Sequence, residues 1–262
     1  HQSINLQFSY ELYPSYFQLE EEILQGHVNF SFLGPIEYLI GSQKELLTPG
    51  LISTHAGVKS YGTQFFAHKD SNFLAFFDPT TNISNANAAA ALRQFNGTKG
   101  CFISENSLAG YWVPMGYLKS ANVITQEPVF TQSSAASLRS LYIQGICQFA
   151  VTYSSISDPR TASIVITDLP DLLDKVPIIW TSPAVIPNRA ITYSTNLALP
   201  IQTKISEFLI QYSNTIEGRK IIGDALDYET NGLSTVPDSF YDPLRDLLKV
   251  QDLRLSDLLE QP

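Results

Sequence analysis

The stretch GHVNFSFLGPIEYL, Gly26 to Leu39, decides how this chain is built. A charged, helix-patterned run with Gln18, Glu20, Glu21 and Glu22 ends at Gly26, and a short apolar alternation follows. The chain then breaks at Gly34-Pro35 and restarts with an apolar run containing Tyr38. A strand that stops at Gly-Pro and restarts at once as a helix leaves backbone donors and one side chain at its carboxyl end, where open α/β sheets bind ligands. Pro35 suits a first helical turn because its missing N–H has no partner there.

Outward from this junction, strand and helix patterns alternate. Residues 4–12 alternate apolar and polar like a strand, and residues 15–25 carry the acidic face and apolar stripe of a short helix. Strands are expected at 28–33, 62–68, 100–103, 149–153, 178–181 and 189–194. Helices are expected at 82–93, 113–120, 135–144, 202–213 and 241–249, with a turn at Asp70-Ser71. Strands separated by helices imply an α/β fold with parallel sheets.

Composition narrows the function classes. The chain has 262 residues, 44% hydrophobic and 16% charged, enough to bury a normal core. Its 16 Lys+Arg against 25 Asp+Glu give a net charge of −9. No cluster of basic residues is present to neutralise a polyanion, so nucleic acid and anionic membrane are poor partners. A small anion held by a few aimed donors remains compatible with an acidic protein. No apolar run approaches the roughly 18 residues of a membrane span. The four histidines (His1, His27, His55, His68) are scattered without ligand spacing, and no Gly-x-Ser-x-Gly, Walker loop or His-Glu-x-x-His occurs, so no metal, cofactor or catalytic group is assigned. Cys101 and Cys147 read as buried free thiols, with a single bridge or a thiol facing a ligand as alternatives.

Six segments, in order, resemble the periplasmic phosphonate-binding proteins. ILQGHVNFSFLGPIEYL is similar to the helix, strand and Gly-Pro-x-x-Tyr that open the ligand helix, and YGTQFFAHKDS to a crossing strand. KGCFISENSLAGYWVPMGYL is similar to the anion loop followed by Tyr-x-x-Pro, SLYIQGICQFAV to a helix, glycine and strand, IIWTSPAVIPNRAITYST to the returning strand, and DSFYDPLRDL to the closing Tyr-Asp-Pro element. The resemblance implies a two-lobed type II periplasmic-binding fold, with lobe 1 at residues 1–66 and 192–262, lobe 2 at 67–191, and a ligand cleft that closes by hinge motion. It also implies that one β-α unit of the family is missing ahead of the segment beginning INLQFSYELYPSYF, which would leave a sheet edge uncovered.

The site residues follow from the same resemblance. Tyr38 maps onto a ligand-contacting tyrosine, Tyr61 lies near a second, and Ser107 maps onto the first hydroxyl of the anion loop. Leu108 and Ala109 occupy positions where the family has hydroxyl residues. Ser134 stands where the family has a histidine, Tyr153 and Ser182 complete the expected lining, and Gln148 or Cys147 stands where the family has an acidic residue. The implied function is the solute-binding component of an ABC importer. It would bind a small anionic or phosphonate-like ligand at the outer face of the cytoplasmic membrane and hand it to a membrane permease. A sensor domain of a signalling receptor and an enzyme on the same scaffold are the alternatives. With two loop hydroxyls replaced, a larger or less charged ligand is expected.

Overall fold

A computed structural model describes residues 6–154, 159–161 and 168–259. In chain order its helices are α1 (Tyr16–Leu24), α2 (Pro35–Gln43), α3 (Ala88–Leu92), α4 (Val113–Ser120), α5 (Ser134–Ile143), α6 (Leu172–Lys175), α7 (Leu199–Ser213), α8 (Ile216–Leu226) and α9 (Asp242–Lys249). Its strands are β1 (Phe30–Leu33), β2 (Leu47–Thr54), β3 (Ser60–Ala67), β4 (Phe77–Asp78), β5 (Ile83–Ser84), β6 (Gly100–Phe102), β7 (Val129–Phe130), β8 (Phe149–Ser154), β9 (Ile178–Thr181), β10 (Ile186–Pro187), β11 (Ala190–Ser194) and β12 (Gly232–Thr235). Contacts gather these into two units. Unit 1 is His1–Ser60, Pro187–Asp242 and Arg254–Pro262, and unit 2 is Tyr61–Ile186 and Pro243–Leu253.

Unit 1 contains the opening junction. Ser15 caps α1 by accepting from the Gln18 N–H. After α1 the chain turns at Gly26, whose φ of +79° is the left-handed conformation that favours glycine. β1 follows, then Gly34 as the N-cap and Pro35 in the first turn of α2, as the sequence requires. The sheet order is β1-β11-β2-β12. Helices α7 and α8 contribute to a core of Leu51, Ile191, Tyr193, Ile205, Ile222 and Leu226.

Over its described residues, 6–12, the strand expected at 4–12 does not form. Ile4 and Asn5 lie outside the described residues, and residues 6–14 have no strand structure. Leu6 and Phe8 pack on the unit 1 core, with the Phe8 ring edge-on to Phe30 at 5.9 Å. A period-two pattern sets which face is apolar, but a strand also needs a neighbour for its backbone, and among the described residues β1 pairs only with β11.

Unit 2 carries a sheet of order β10-β3-β8-β6-β7, with β9 paired to β3. Its centre is aromatic: Phe65, Phe95, Phe102, Phe149 and Trp180 are buried together, and the Phe95 and Phe149 rings stack at 4.5 Å. The expectation of parallel sheets is corrected here. β6 runs parallel to β7 and β8, but β3 opposes β8 and β9, and every neighbouring pair in the unit 1 sheet is antiparallel. β3 and β11, which carry the chain into a new unit, insert against the direction of the strands they join.

Two further readings change. Asn82 has a φ of +56°, incompatible with a helix, and sits in the β4–β5 hairpin; α3 begins only at Ala88, with the Asn87 side chain accepting from the Ala90 N–H. Cys101 and Cys147 are not free thiols but a disulfide, with Cα atoms 5.7 Å apart. The parallel pairing that sets Cys101 opposite Ala150 brings the residues just ahead of β8 beside β6, joining cysteines separated by 46 positions.

Candidate functional site

Strand direction gathers the unit 2 candidates. β6, β7, β8 and β9 point the same way, because β7 and β8 are parallel to β6, and β8 and β9 both oppose β3. Ser107, Leu108 and Ala109 follow β6, Ser134 follows β7, Tyr153 is near the end of β8, and Ser182 follows β9 directly. Tyr61 lies at the start of the opposing β3. All seven of these positions therefore sit at one end of the sheet, the carboxyl end of its parallel strands, where helix amino termini also collect.

The local geometry is specific. Ser107 is the N-cap of a π-helical turn, Leu108–Trp112, that runs directly into α4. Its Oγ accepts from the Gly110 N–H at 2.9 Å, which leaves the hydroxyl proton available to donate. Leu108 is half-buried and Ala109 buried. Ser134 is the first residue of α5, behind the N-cap Ser133, whose Oγ accepts from the Ala136 N–H at 3.1 Å.

Ser182 is buried and anchors the start of β3. Its N–H donates to the Thr63 carbonyl at 2.8 Å, while its Oγ accepts from the Thr63 N–H at 2.9 Å and donates to the Pro183 carbonyl at 2.7 Å. Gly62 permits this approach, since a Cβ there would lie 2.5 Å from the Ser182 Oγ. Thr63 pairs with Tyr153 across the strands, so Tyr61, two residues earlier, shares a face with Tyr153. Tyr153 is 41% exposed on that face.

Tyr38 belongs to unit 1 and is not among this group. It follows β1 in the first turn of α2, is buried, and donates its hydroxyl to Asp238 Oδ1 at 2.5 Å, with its ring 4.2 Å from that of Tyr241.

Two side chains beside the candidates escaped the sequence. Asp238 accepts the Tyr38 hydroxyl; the DSFYDPLRDL segment was legible as an element, but nothing in it marked Asp238 as the partner of a tyrosine 200 positions away. Tyr117, three residues after Pro114, lies near the Ser182 hydroxyl, which acts on its pKa, and packs edge-on to Trp180 at 5.1 Å. Burial pushes its pKa up to about 12, and the Ser182 contact opposes that rise. Among the described residues no group of three or more His, Cys, Asp or Glu side chains is placed to hold a metal ion. None of the seven candidate side chains gathered in unit 2 is cationic, so an anion held by them would meet neutral hydroxyls and helix N–H groups.

Two α/β units, one of them collecting hydroxyls and helix starts at the carboxyl end of its parallel strands, place the protein in the type II periplasmic-binding class. The sequence profile of the family described as ABC transporter, phosphonate, periplasmic substrate-binding protein matches residues 1–241, and the chain belongs to that family. Solved structures agree at the level of the fold. XAC2383 from Xanthomonas citri bound to ATP superposes with a TM-score of 0.64 at 15% identity, covering 99% of this chain and 90% of that one. PhnD1 from Prochlorococcus marinus in complex with methylphosphonate gives 0.57 at 12%, covering 96% and 88%. A binding protein component of an ABC phosphonate transporter from Pseudomonas aeruginosa gives 0.52 at 18%, covering 98% and 87%. No curated protein sequence matches the chain.

Proposed function

We propose that this substrate-binding protein holds a small ligand with an anionic, phosphonate-like end and an apolar or aromatic portion, closes its two units on it by hinge motion, and delivers it to an ABC permease. The two units correspond in this reading to the two lobes of the fold. The carrying observation is the convergence of Tyr61, Ser107, Leu108, Ala109, Ser134, Tyr153 and Ser182 on one end of the unit 2 sheet, with Tyr38 at the corresponding end of β1.

Ser107 and the helix starts supply donors for the anionic end, while Leu108 and the tyrosines favour apolar contact. A hydrogen bond to a charged group contributes roughly 1.5–3 kcal/mol. Two absent loop hydroxyls therefore weaken binding of a bare phosphonate by about 3–6 kcal/mol, on the order of a hundredfold to ten-thousandfold. Work outside the cytoplasmic membrane accords with the family and with the buried Cys101–Cys147 disulfide, a bond that persists in oxidising compartments. Among the described residues no helix is long and apolar enough to cross a membrane.

Small-angle scattering tests hinge closure. Saturating phenylphosphonate should reduce the radius of gyration, because binding favours the closed population. Saturation shown by calorimetry with an unchanged scattering curve would refute closure.

A further inference from the structure

The chain passes between the units at four places, Ser60–Tyr61, Ile186–Pro187, Asp242–Pro243 and Leu253–Arg254. At the first, β2 does not run straight into β3. His55 and Val58 exchange backbone hydrogen bonds, each at 3.0 Å, and Ala56 and Gly57 between them have φ of +45° and +87°, the two left-handed residues of a tight hairpin turn. Only Lys59 separates this turn from β3. The returning chain leaves β10 at Pro187 and reaches β11 at Ala190 through Asn188 and Arg189.

Asn188 joins these two passages. It is buried, and its side-chain amide donates to the Ser53 carbonyl at 3.0 Å, ahead of the turn, and to the Val58 carbonyl at 2.8 Å, at its end. Its backbone N–H donates to the Lys59 carbonyl at 2.9 Å. Both side-chain N–H groups are thereby used, and because both neighbours are carbonyls the orientation of the amide is fixed. The next residue adds to the tie, since the Arg189 carbonyl accepts from the Ser53 N–H at 3.1 Å and from the Ser53 Oγ at 2.7 Å. The turn is also held from its other side: the Gly57 N–H donates to Asn231 Oδ1 at 2.9 Å, and His55 Nδ1 donates to the Glu229 carbonyl at 2.6 Å. All of these residues belong to unit 1. In unit 2 the same two passages are tied again by the reciprocal bonds of Thr63 and Ser182. Residues 60–62 on the outgoing chain and 183–187 on the returning one lie between the two ties.

We propose that Asn188 is a hinge-positioning residue: it makes the outgoing and returning passages one rigid part of unit 1, so that closure bends the chain at residues 60–62 and 183–187 and not within 53–59 or 188–189. This role rests on the hinge closure proposed above and adds to it the side chain that sets where these passages bend. Leucine has about the size of asparagine without its donors, and aspartate has its shape but turns an acceptor towards the two carbonyls, so neither makes the tie.

Spin labels at Ile216→Cys in unit 1 and Ile124→Cys in unit 2, both exposed positions, report the distance between the units by pulsed electron spin resonance. In the ligand-free protein Asn188→Leu and Asn188→Asp should each at least double the width of the distance distribution, because the two passages then bend independently over a longer stretch. A side chain that only stabilises unit 1 would lower the urea midpoint and leave that width unchanged, and this result would overturn the proposal. Hydrogen exchange on the protein with Asn188 intact needs no folded variant: corrected for intrinsic rates, the Asn188 amide should be protected to within about threefold of Ser53. Exchange more than tenfold faster at Asn188 would show the tie open in solution and would also overturn the role. Saturating phenylphosphonate separates the two levels of the account. Saturation with an unmoved distance would refute closure and the hinge role together, whereas a moved distance with an unchanged width in both variants would refute the role of Asn188 alone.

Discussion

Phe149 and Phe32 are both strand phenylalanines, one in each unit, and their surroundings could hardly differ more. Phe149 lies fully buried in unit 2, stacked on Phe95 and flanked by Phe65 and Phe102, in a sheet further joined by the Cys101–Cys147 disulfide. Phe32 lies on the outer strand of unit 1 and is 41% exposed. The same residue type in a strand is core in one unit and surface in the other, because burial follows which face of the strand packs on a core: on β1 itself Ser31 and Leu33 are buried while Phe32 is not. Unit 2 is organised around its aromatic centre, and its candidate site rests on that centre.

The largest expected effect is therefore Phe149→Ala, which should destabilise unit 2 by about 3–5 kcal/mol. The protein has 2 tryptophans, Trp112 and Trp180, both in unit 2, so urea unfolding followed by tryptophan fluorescence reads this unit selectively. A loss of less than about 1 kcal/mol would break the contrast. Replacing both cysteines by alanine should cost roughly 2–5 kcal/mol in the same assay, and reduction of the unaltered protein should shift the transition in the same direction. Ser107→Ala removes an N-cap and should cost about 0.5–2 kcal/mol, with a separate loss of ligand affinity if the hydroxyl donates as proposed. Phe32→Ser, at the opposite extreme, should lie within about 0.5 kcal/mol of the unaltered protein. A large loss there would mean that the β1 edge is packed after all.

Alkaline pH sharpens the same comparison. Burial raises the Tyr117 pKa from 10.0 to about 12 in the folded protein, so between those values the unfolded chain releases this proton first. Stability from this group is complete below pH 10 and is lost as pH rises towards 12. Fluorescence of Trp180, which touches Tyr117, should report that loss, and Tyr117→Phe should reduce its pH dependence.

Much of the fold was legible where local chemistry is decisive. Gly34-Pro35 marked the strand-to-helix junction because Pro35 can only begin a helix there, and Val113–Ser120 was read to its ends. β2 was missed because Pro49 and Gly50 interrupt it, although its pairing with β11 accommodates them with a register shift. Residues 6–12 have a strand's pattern, yet among the described residues β1 pairs only with β11. The disulfide was not legible because parallel pairing of β6 and β8, a property of the sheet, makes Cys147 a neighbour of Cys101. Likewise the candidate residues were found through resemblance, while their convergence depends on strand directions that no single segment encodes, and Asp238 and Tyr117 emerged only once distant segments had been brought together.

Calorimetric titration tests the account's central claim most directly, with phosphate, methylphosphonate, 2-aminoethylphosphonate and phenylphosphonate against the unaltered protein and the double variant Leu108→Thr, Ala109→Ser. Phenylphosphonate should bind the unaltered protein at least tenfold tighter than the three smaller anions, and the double variant should gain affinity for methylphosphonate. Submicromolar binding of the small anions by the unaltered protein, or a double variant with an unchanged order of affinities, would show that the loop at Ser107–Ala109 does not set specificity and that the ligand is held elsewhere.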